Sequence, residues 1–275
     1  MSQNNSNLPM PVADKSLGQH FLSNAGVVEK IGAWAKTLAS PNSQVVEIGP
    51  GPGVLTENLL KNFSKVTVVE IDPRMKAHLE ARFSSEVASG KLQIIFEDAL
   101  KINELSQLGL SVDDDIVCVG NLPYNIGTRI LFNFLEAFPN VSGFCVMLQK
   151  EVVDRLKAEV GDDAYGIPSI KCALLGKNFE SFVVSPGSFK PPPKVDSAVL
   201  RFKRRKPENE FEAELMKDET RYLDFFKRIN LAFSKRRKML KGSFAALKTE
   251  TVGTKRPEEL SLQDWLNLYF SEKLK

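Results

Sequence analysis

Asn121-Leu122-Pro123-Tyr124 stands directly behind the apolar run Asp115-Ile116-Val117-Cys118-Val119-Gly120. These four residues suit one kind of chemistry, the placing of a methyl group on an aromatic amine. The lone pair of an exocyclic amine on adenine or cytosine is conjugated into the ring, so the nitrogen is a poor nucleophile. A site that methylates it does not have to remove a proton first. It needs two hydrogen-bond acceptors aimed at the two N–H bonds, so that the nitrogen pyramidalises and turns its lone pair to the donor. The Asn121 side-chain oxygen and the Leu122 main-chain carbonyl can supply that pair, with Pro123 stiffening the turn. Tyr124 offers a flat face for the base, and holding base and donor in line makes a bimolecular displacement a positioned one. The plain alternative is a strand-ending turn, where Asn and Pro are both common.

Such a turn needs a scaffold. Short buried-type strands are expected at 44–48, 65–72, 92–96, in the run before Asn121, and at 143–148. Helical spacing falls between them at 27–38, 54–63, 73–83, 130–138 and 150–160. This alternation predicts a parallel sheet with helices on both faces. Two later strands, 179–184 and 198–202, flank Phe189-Lys190-Pro191-Pro192-Pro193-Lys194-Val195-Asp196, which the prolines make a stiff surface loop. Ligands of such sheets sit at the carboxyl ends of strands. There the chain places Gly49-Pro50-Gly51-Pro52-Gly53, Glu70, Asp98 and Asn121. The glycines alternate instead of following G-x-G-x-x-G, and no P-loop Lys-Ser/Thr follows them, so the ligand has no phosphate to cradle. Glu70 suits a ribose diol and Asp98 an adenine amine. A nucleoside-like ligand without phosphate, beside an amine-methylating turn, points to S-adenosylmethionine. Each carboxylate taken singly reads as well as a surface charge or helix cap; it is the run of consecutive strand ends that favours a ligand.

The bulk properties fit this scaffold. The chain has 275 residues, 43% hydrophobic and 26% charged, which allows a large soluble domain plus a small one. No apolar run reaches bilayer-spanning length. Residues 1–14 are polar and Asn/Ser-rich with no apolar core, and are expected to form a flexible tail rather than a leader, which favours a cytoplasmic location. Cys118, Cys145 and Cys172 lie far apart, against disulfides and metal ligation, and His20 and His78 give catalysis by a His base little to draw on. Residues 200–275 carry 19 Lys and Arg against 12 Asp and Glu, and the remainder 18 against 22. A basic end on an acidic body suits a polyanionic partner, though a solvated Lys-rich surface has the same count. The character changes after residue 205, and domains are expected at 15–205 and 206–275. In the second, Leu223, Phe226, Ile229 and Phe233 form an apolar stripe, followed by Ser234-Lys235-Arg236-Arg237-Lys238.

Seven stretches carry a resemblance: LGQHFL (17–22), VVEIGPGPGVLT (45–56), VVEIDP (68–73), EDAL (97–100), NLPYNI (121–126), FKPPPKVDSAV (189–199) and AFSKRRKML (232–240). Together, from about Lys15 to Leu262, the chain resembles the KsgA family of small-subunit ribosomal RNA adenine dimethyltransferases, relatives of the Erm methyltransferases. The resemblance implies a Rossmann-like class I S-adenosylmethionine-dependent methyltransferase sheet of seven strands with a small C-terminal α-helical, RNA-binding domain. It implies cofactor contacts from His20, Leu22, Gly49, Glu70, Asp98 and Asn121, with Asn121 and Leu122 at the target amine. Tyr124 and Phe189 would sandwich the adenine, although a core Phe under the loop is the other reading of Phe189. The implied substrate is two adjacent adenosines near the 3′ end of small-subunit (16S) rRNA, dimethylated at N6 during maturation of the 30S subunit. Lys235, Arg236, Arg237, Lys238 and Lys241 would bind phosphates, or else form a solvated helix face. His20 departs from the Asn more common in bacterial relatives. An Erm-like enzyme acting on large-subunit rRNA is the nearest rival; Leu122, where such relatives more often carry Ile, and the basic C-terminal domain argue against it. A non-catalytic assembly factor is the other, and intact Asn121 and Tyr124 argue against that. No metal, no membrane contact and a monomer are expected.

Overall fold

The computed structural model describes residues 11–14, 17–234, 239–240 and 254–273. In chain order the strands are β1 (Phe21–Leu22), β2 (Gln44–Ile48), β3 (Val66–Glu70), β4 (Leu92–Phe96), β5 (Ile116–Asn121), β6 (Val141–Gln149), β7 (Gly176–Val184), β8 (Phe189–Lys190) and β9 (Ser197–Arg204). The described helices are α1 (Ala25–Leu38), α2 (Val54–Asn62), α3 (Lys76–Arg82), α4 (Ser84–Ala88), α5 (Gly127–Ala137), α6 (Lys150–Lys157), α7 (Ile167–Leu175), α8 (Glu210–Lys217), α9 (Glu219–Phe233) and α10 (Leu262–Lys273). None of them is long and apolar enough to cross a membrane.

Seven strands form one sheet in the order β4-β3-β2-β5-β6-β9-β7. From β4 to β6 the pairings are parallel, whereas β9 runs antiparallel to β6. The all-parallel sheet expected from the alternation is therefore a mixed one. The chain returns to the sheet beside the end of β6, where Ser197 pairs with Gln149 and the Lys150 N–H donates to Asp196 O at 2.9 Å. A strand that re-enters there can only run back along its neighbour. The strand order reverses between β2 and β5, so the carboxyl ends of these two strands flank the crevice in which open sheets bind ligands.

Alternation along the strands builds the core. Val45, Val117, Val119, Cys145, Met147 and Val199 share one face with Val28, Ile31, Ala35 and Leu38 of α1 and with Leu55 and Leu59 of α2. Asn24 starts α1 by accepting the Val27 N–H on its side chain. Phe144 and Phe202 stack at 5.0 Å, and α5 buries Ile130, Leu131 and Phe134. Each such side chain contributes about 1.5–3 kcal/mol.

By contacts the chain divides into residues 1–153 with 178–204, and residues 154–177 with 205–275. The expected boundary at 205 left residues 154–177 with the sheet; their contacts put them in the helical unit. Tyr165 Oη donates to Leu260 O at 2.9 Å, and the Arg205 Nε donates to Ala173 O at 2.6 Å. Arg205 also pairs with buried Glu212 at 2.7 Å. In α9 the buried stripe is Phe225, Phe226, Ile229 and Ala232. Leu223, expected in that stripe, is 61% exposed; the face is rotated so that Phe225 meets Tyr269 edge-on at 5.4 Å.

Candidate active site

The expected strand-end residues converge. His20, Gly49, Glu70, Ile71, Asp98, Asn121, Leu122 and Tyr124 line one pocket. Leu22 lines an adjoining depression with Glu47, Gly49, Gly51 and Asn121. The Gly49 and Gly51 backbones are left-handed, at φ 69° and 53°, which glycine adopts without cost. A Cβ on Gly51 would stand 3.0 Å from the Phe21 ring.

Glu70 ends β3 and is 3% exposed. Its Oε2 accepts the Gly51 N–H at 3.1 Å and its Oε1 the Asp72 N–H at 2.8 Å. Burial raises its pKa, while these backbone donors pull the other way. The Ile71 N–H also acts on this carboxylate, and of its four acceptor sites at least one stays open for a ligand hydroxyl. Asp98 Oδ1 accepts the Leu100 N–H at 2.9 Å, which leaves Oδ2 for an adenine amine. Glu47, 1% exposed, is pushed up to about 8, first by burial and then by the nearby Glu70, against the Thr56 hydroxyl that donates to it at 2.6 Å.

An N-terminal arm lies along the pocket. Gln19 Nε2 donates to Asp72 Oδ2 at 2.9 Å, and Arg74 donates to both oxygens of Asp72 at 2.8 and 2.6 Å. The guanidinium is the main reason the Asp72 carboxyl is held near 2. Further along, β1 pairs with β8, and His20 Nδ1 lies 2.8 Å from Pro191 O.

Asn121 closes β5. Its Nδ2 donates to His20 O at 2.8 Å. A carbonyl only accepts, so this bond fixes which way the amide faces and commits Oδ1 to another direction. The Leu122 N–H donates to Met147 O at 3.0 Å, while Pro123 O takes the N–H groups of Ile126 and Gly127. The Leu122 carbonyl is thus held between two fixed neighbours. Gly120 lets β5 lie close to β2, since a Cβ there would stand 2.5 Å from Ile48 O. Tyr124 is half-buried, its hydroxyl 2.5 Å from Ser197 Oγ. Its ring stacks with His20 at 5.4 Å between centroids, 27° from parallel.

Of the two readings of Phe189, burial favours the core one. This residue is 2% exposed and belongs to the core with Phe21, Leu22 and Val184. In β8 the alternation turns Phe189 inward and Lys190 out, and the ring packed on Tyr124 is that of His20. Lys235, Arg236, Arg237, Lys238 and Lys241 lie outside the described residues. Gln19, Ile71 and Ser197 reach the site without a chemical signal of their own in the sequence, although Gln19 and Ser197 fall inside stretches 17–22 and 189–199. Ile71 is 46% exposed directly after Glu70, an apolar face where a strand-ending run meets solvent.

A switch-point crevice lined by two strand-ending carboxylates, Glu70 and Asp98, and by the turn Asn121-Leu122-Pro123-Tyr124 suits an S-adenosylmethionine-dependent methyltransferase of class I. Residues 12–261 match the family of ribosomal RNA adenine dimethylases. Among curated relatives, a ribosomal RNA small subunit methyltransferase A from Xanthomonas campestris is 36% identical, over 96% of this chain and 97% of its own length. One from Bifidobacterium longum is 39% identical, over 86% and 76%. Among solved structures, a dimethyladenosine transferase from Plasmodium falciparum superposes with a TM-score of 0.73 at 26% identity, covering 92% of this chain and 98% of its own. The 23S rRNA methyltransferase ErmE gives 0.65 at 25%, covering 91% and 98%. The chain belongs to the ribosomal RNA adenine dimethylase family and uses S-adenosylmethionine to dimethylate rRNA adenine.

Proposed function

We propose that this enzyme dimethylates two adjacent adenosines at N6 near the 3′ end of small-subunit rRNA, acting in the cytoplasm as a monomer on the immature small subunit. Similarity to small-subunit methyltransferases over nearly the whole chain supports that choice of RNA. The observation that carries the chemistry is the Asn121 amide, whose nitrogen is committed to His20 O at 2.8 Å. Its oxygen and the Leu122 carbonyl accept the two N–H bonds of the target amine and draw its lone pair out of conjugation. Tyr124 presents its face to the extruded adenine, recovering part of the few kcal/mol that unstacking costs. His20, Leu22, Gly49, Glu70, Asp98 and Asn121 hold the cofactor, with Glu70 on the ribose and Asp98 on the adenine. The bound cofactor supplies an electrophilic methyl group on a sulfonium. Each transfer leaves the sulfonium's bonding pair on sulfur as a neutral thioether and the amine as a cation. That cation has two acidic N–H bonds after the first methyl and one after the second, and each time one proton passes from these acceptors to water. The basic run Lys235–Lys238 with Lys241 binds RNA phosphates.

The test is transfer of labelled methyl from S-adenosylmethionine to unmethylated small subunits, with large-subunit RNA in parallel. Label on paired adenines of the small subunit is the expected result. Label confined to large-subunit RNA would overturn the choice of substrate, and binding without label would overturn catalysis.

A further inference from the structure

We propose that Ser197 is a positioning residue for methyl transfer, its buried hydroxyl fixing where the Tyr124 ring, on which the target adenine stacks, stands over the turn. The inference rests on the stacking role given to Tyr124 above. Ser197 opens β9, is fully buried, and is held in register opposite Gln149 of β6. Its Oγ lies 2.5 Å from the Tyr124 hydroxyl, joining residues 73 apart in sequence. Tyr124 itself sits on a turn. The His20 ring packed on Tyr124 belongs to the arm; without a tie to the sheet a tyrosine on a turn swings about two side-chain torsions, the outer one broad. A hydrogen bond at the far end of the ring stops the inner swing and refers the ring to the sheet rather than to the loop. Oη lies on the axis of the outer torsion, which the bond biases through the phenol's preference for an O–H in the ring plane. Burial raises the phenol's pKa, so the group in this bond keeps its proton, and a serine hydroxyl can take either role opposite it. The base that stacks on this ring must present its amine to Asn121 and Leu122, three and two residues back along the same turn. Ring position and amine position are therefore linked. Ser197 is not among the residues lining the cofactor pocket, so its effect falls on the target base.

The experiment is a double-mutant cycle on unmethylated small subunits, with kcat, KM, cofactor affinity and Tm measured for wild type, Ser197→Ala, Tyr124→Phe and the double variant. Ser197→Ala is expected to lower kcat about fivefold, the worth of one net hydrogen bond, with cofactor affinity unchanged. Tyr124→Phe should do the same, and the double variant should be no worse than Tyr124→Phe alone. Should the alanine variant not fold, Ser197→Cys, close in volume and a weak hydrogen-bond partner, replaces it in the cycle. An unchanged kcat in the Ser197 variant would overturn the inference. So would a full second loss in the Tyr124→Phe background, since that would mean general damage to β9. A wild type that transfers no methyl fells the functional reading itself, a result plainly different from either.

Discussion

At the scale of single residues the chemistry depends on where two oxygens point. Asn121 has its nitrogen bound to His20 O, so truncation removes one of the two acceptors and the tie to the arm together. Asn121→Ala should lower kcat by about 100-fold or more, the usual cost of deleting a preorganised polar group at a reacting centre. RNA binding, measured by filter retention of small subunits, should stay near wild type; equal loss of both would remove Asn121 from the reaction. Glu47 makes a prediction of another kind. Its carboxyl titrates near 8 in the folded protein against an ordinary 4.5. Between these values the folded state keeps a proton that the unfolded chain releases. The associated stability is complete below about pH 4.5, declines as pH rises toward 8, and is gone above it. Glu47→Gln cannot ionise, so its Tm should fall less than that of wild type between pH 5 and pH 8. Parallel Tm curves for the two proteins would show that Glu47 is already ionised at the lower pH.

At the scale of elements, the arm and the strand ends act together. Asp72 is 1% exposed and receives Gln19, the Arg74 side chain and the Arg74 N–H, so it ties the arm to the end of β3. Its pKa near 2, depressed mainly by Arg74, makes its contribution complete above about 3.8 and lost as pH falls toward 2. Asp72→Ala removes charge-assisted bonds and should weaken S-adenosylmethionine binding about tenfold, in line with the strength of such bonds. Calorimetry at pH 7 checks this, and unchanged affinity would free the arm from any part in the pocket. The strand ends were legible because Val- and Ile-rich runs stop abruptly at Gly49, Glu70, Asp98 and Asn121, where apolar character gives way to glycine, acid or amide. The arm was less so. β1 and β8 are two residues each, too short for a periodic signal, and their pairing spans 167 positions from Leu22 to Phe189. That pairing is what draws Phe189 inward, so the role of this ring could not be separated from a core position by sequence. The direction of β9 and the placement of 154–177 likewise follow from which distant surfaces meet, and Ser197 shows its importance only through Tyr124.

At the scale of the whole molecule, the decisive feature is how charge is divided along the chain. Residues 200–275 carry seven more basic than acidic side chains, while the rest carries four more acidic than basic. The residues lining the cofactor pocket come from 17–130, all in the sheet unit, so affinity for RNA and affinity for cofactor should separate on mutation. On the proposed role of the basic run, reversing Lys235, Arg236, Arg237 and Lys238 to Glu would remove up to four phosphate contacts. On single-stranded RNA each contact contributes about −0.7 to the slope of log affinity against log salt, so that slope should become shallower by about 3. The RNA dissociation constant should rise steeply at low salt and converge toward wild type as salt increases, because screening weakens what the substitution has already removed. Calorimetric affinity for S-adenosylmethionine should not move. If the dissociation constant and salt slope match wild type, the run is a solvated surface and the polyanion is held by other cations of the chain. If cofactor affinity falls as well, the substitutions have disturbed the sheet unit, and the charge division does not correspond to a division of labour.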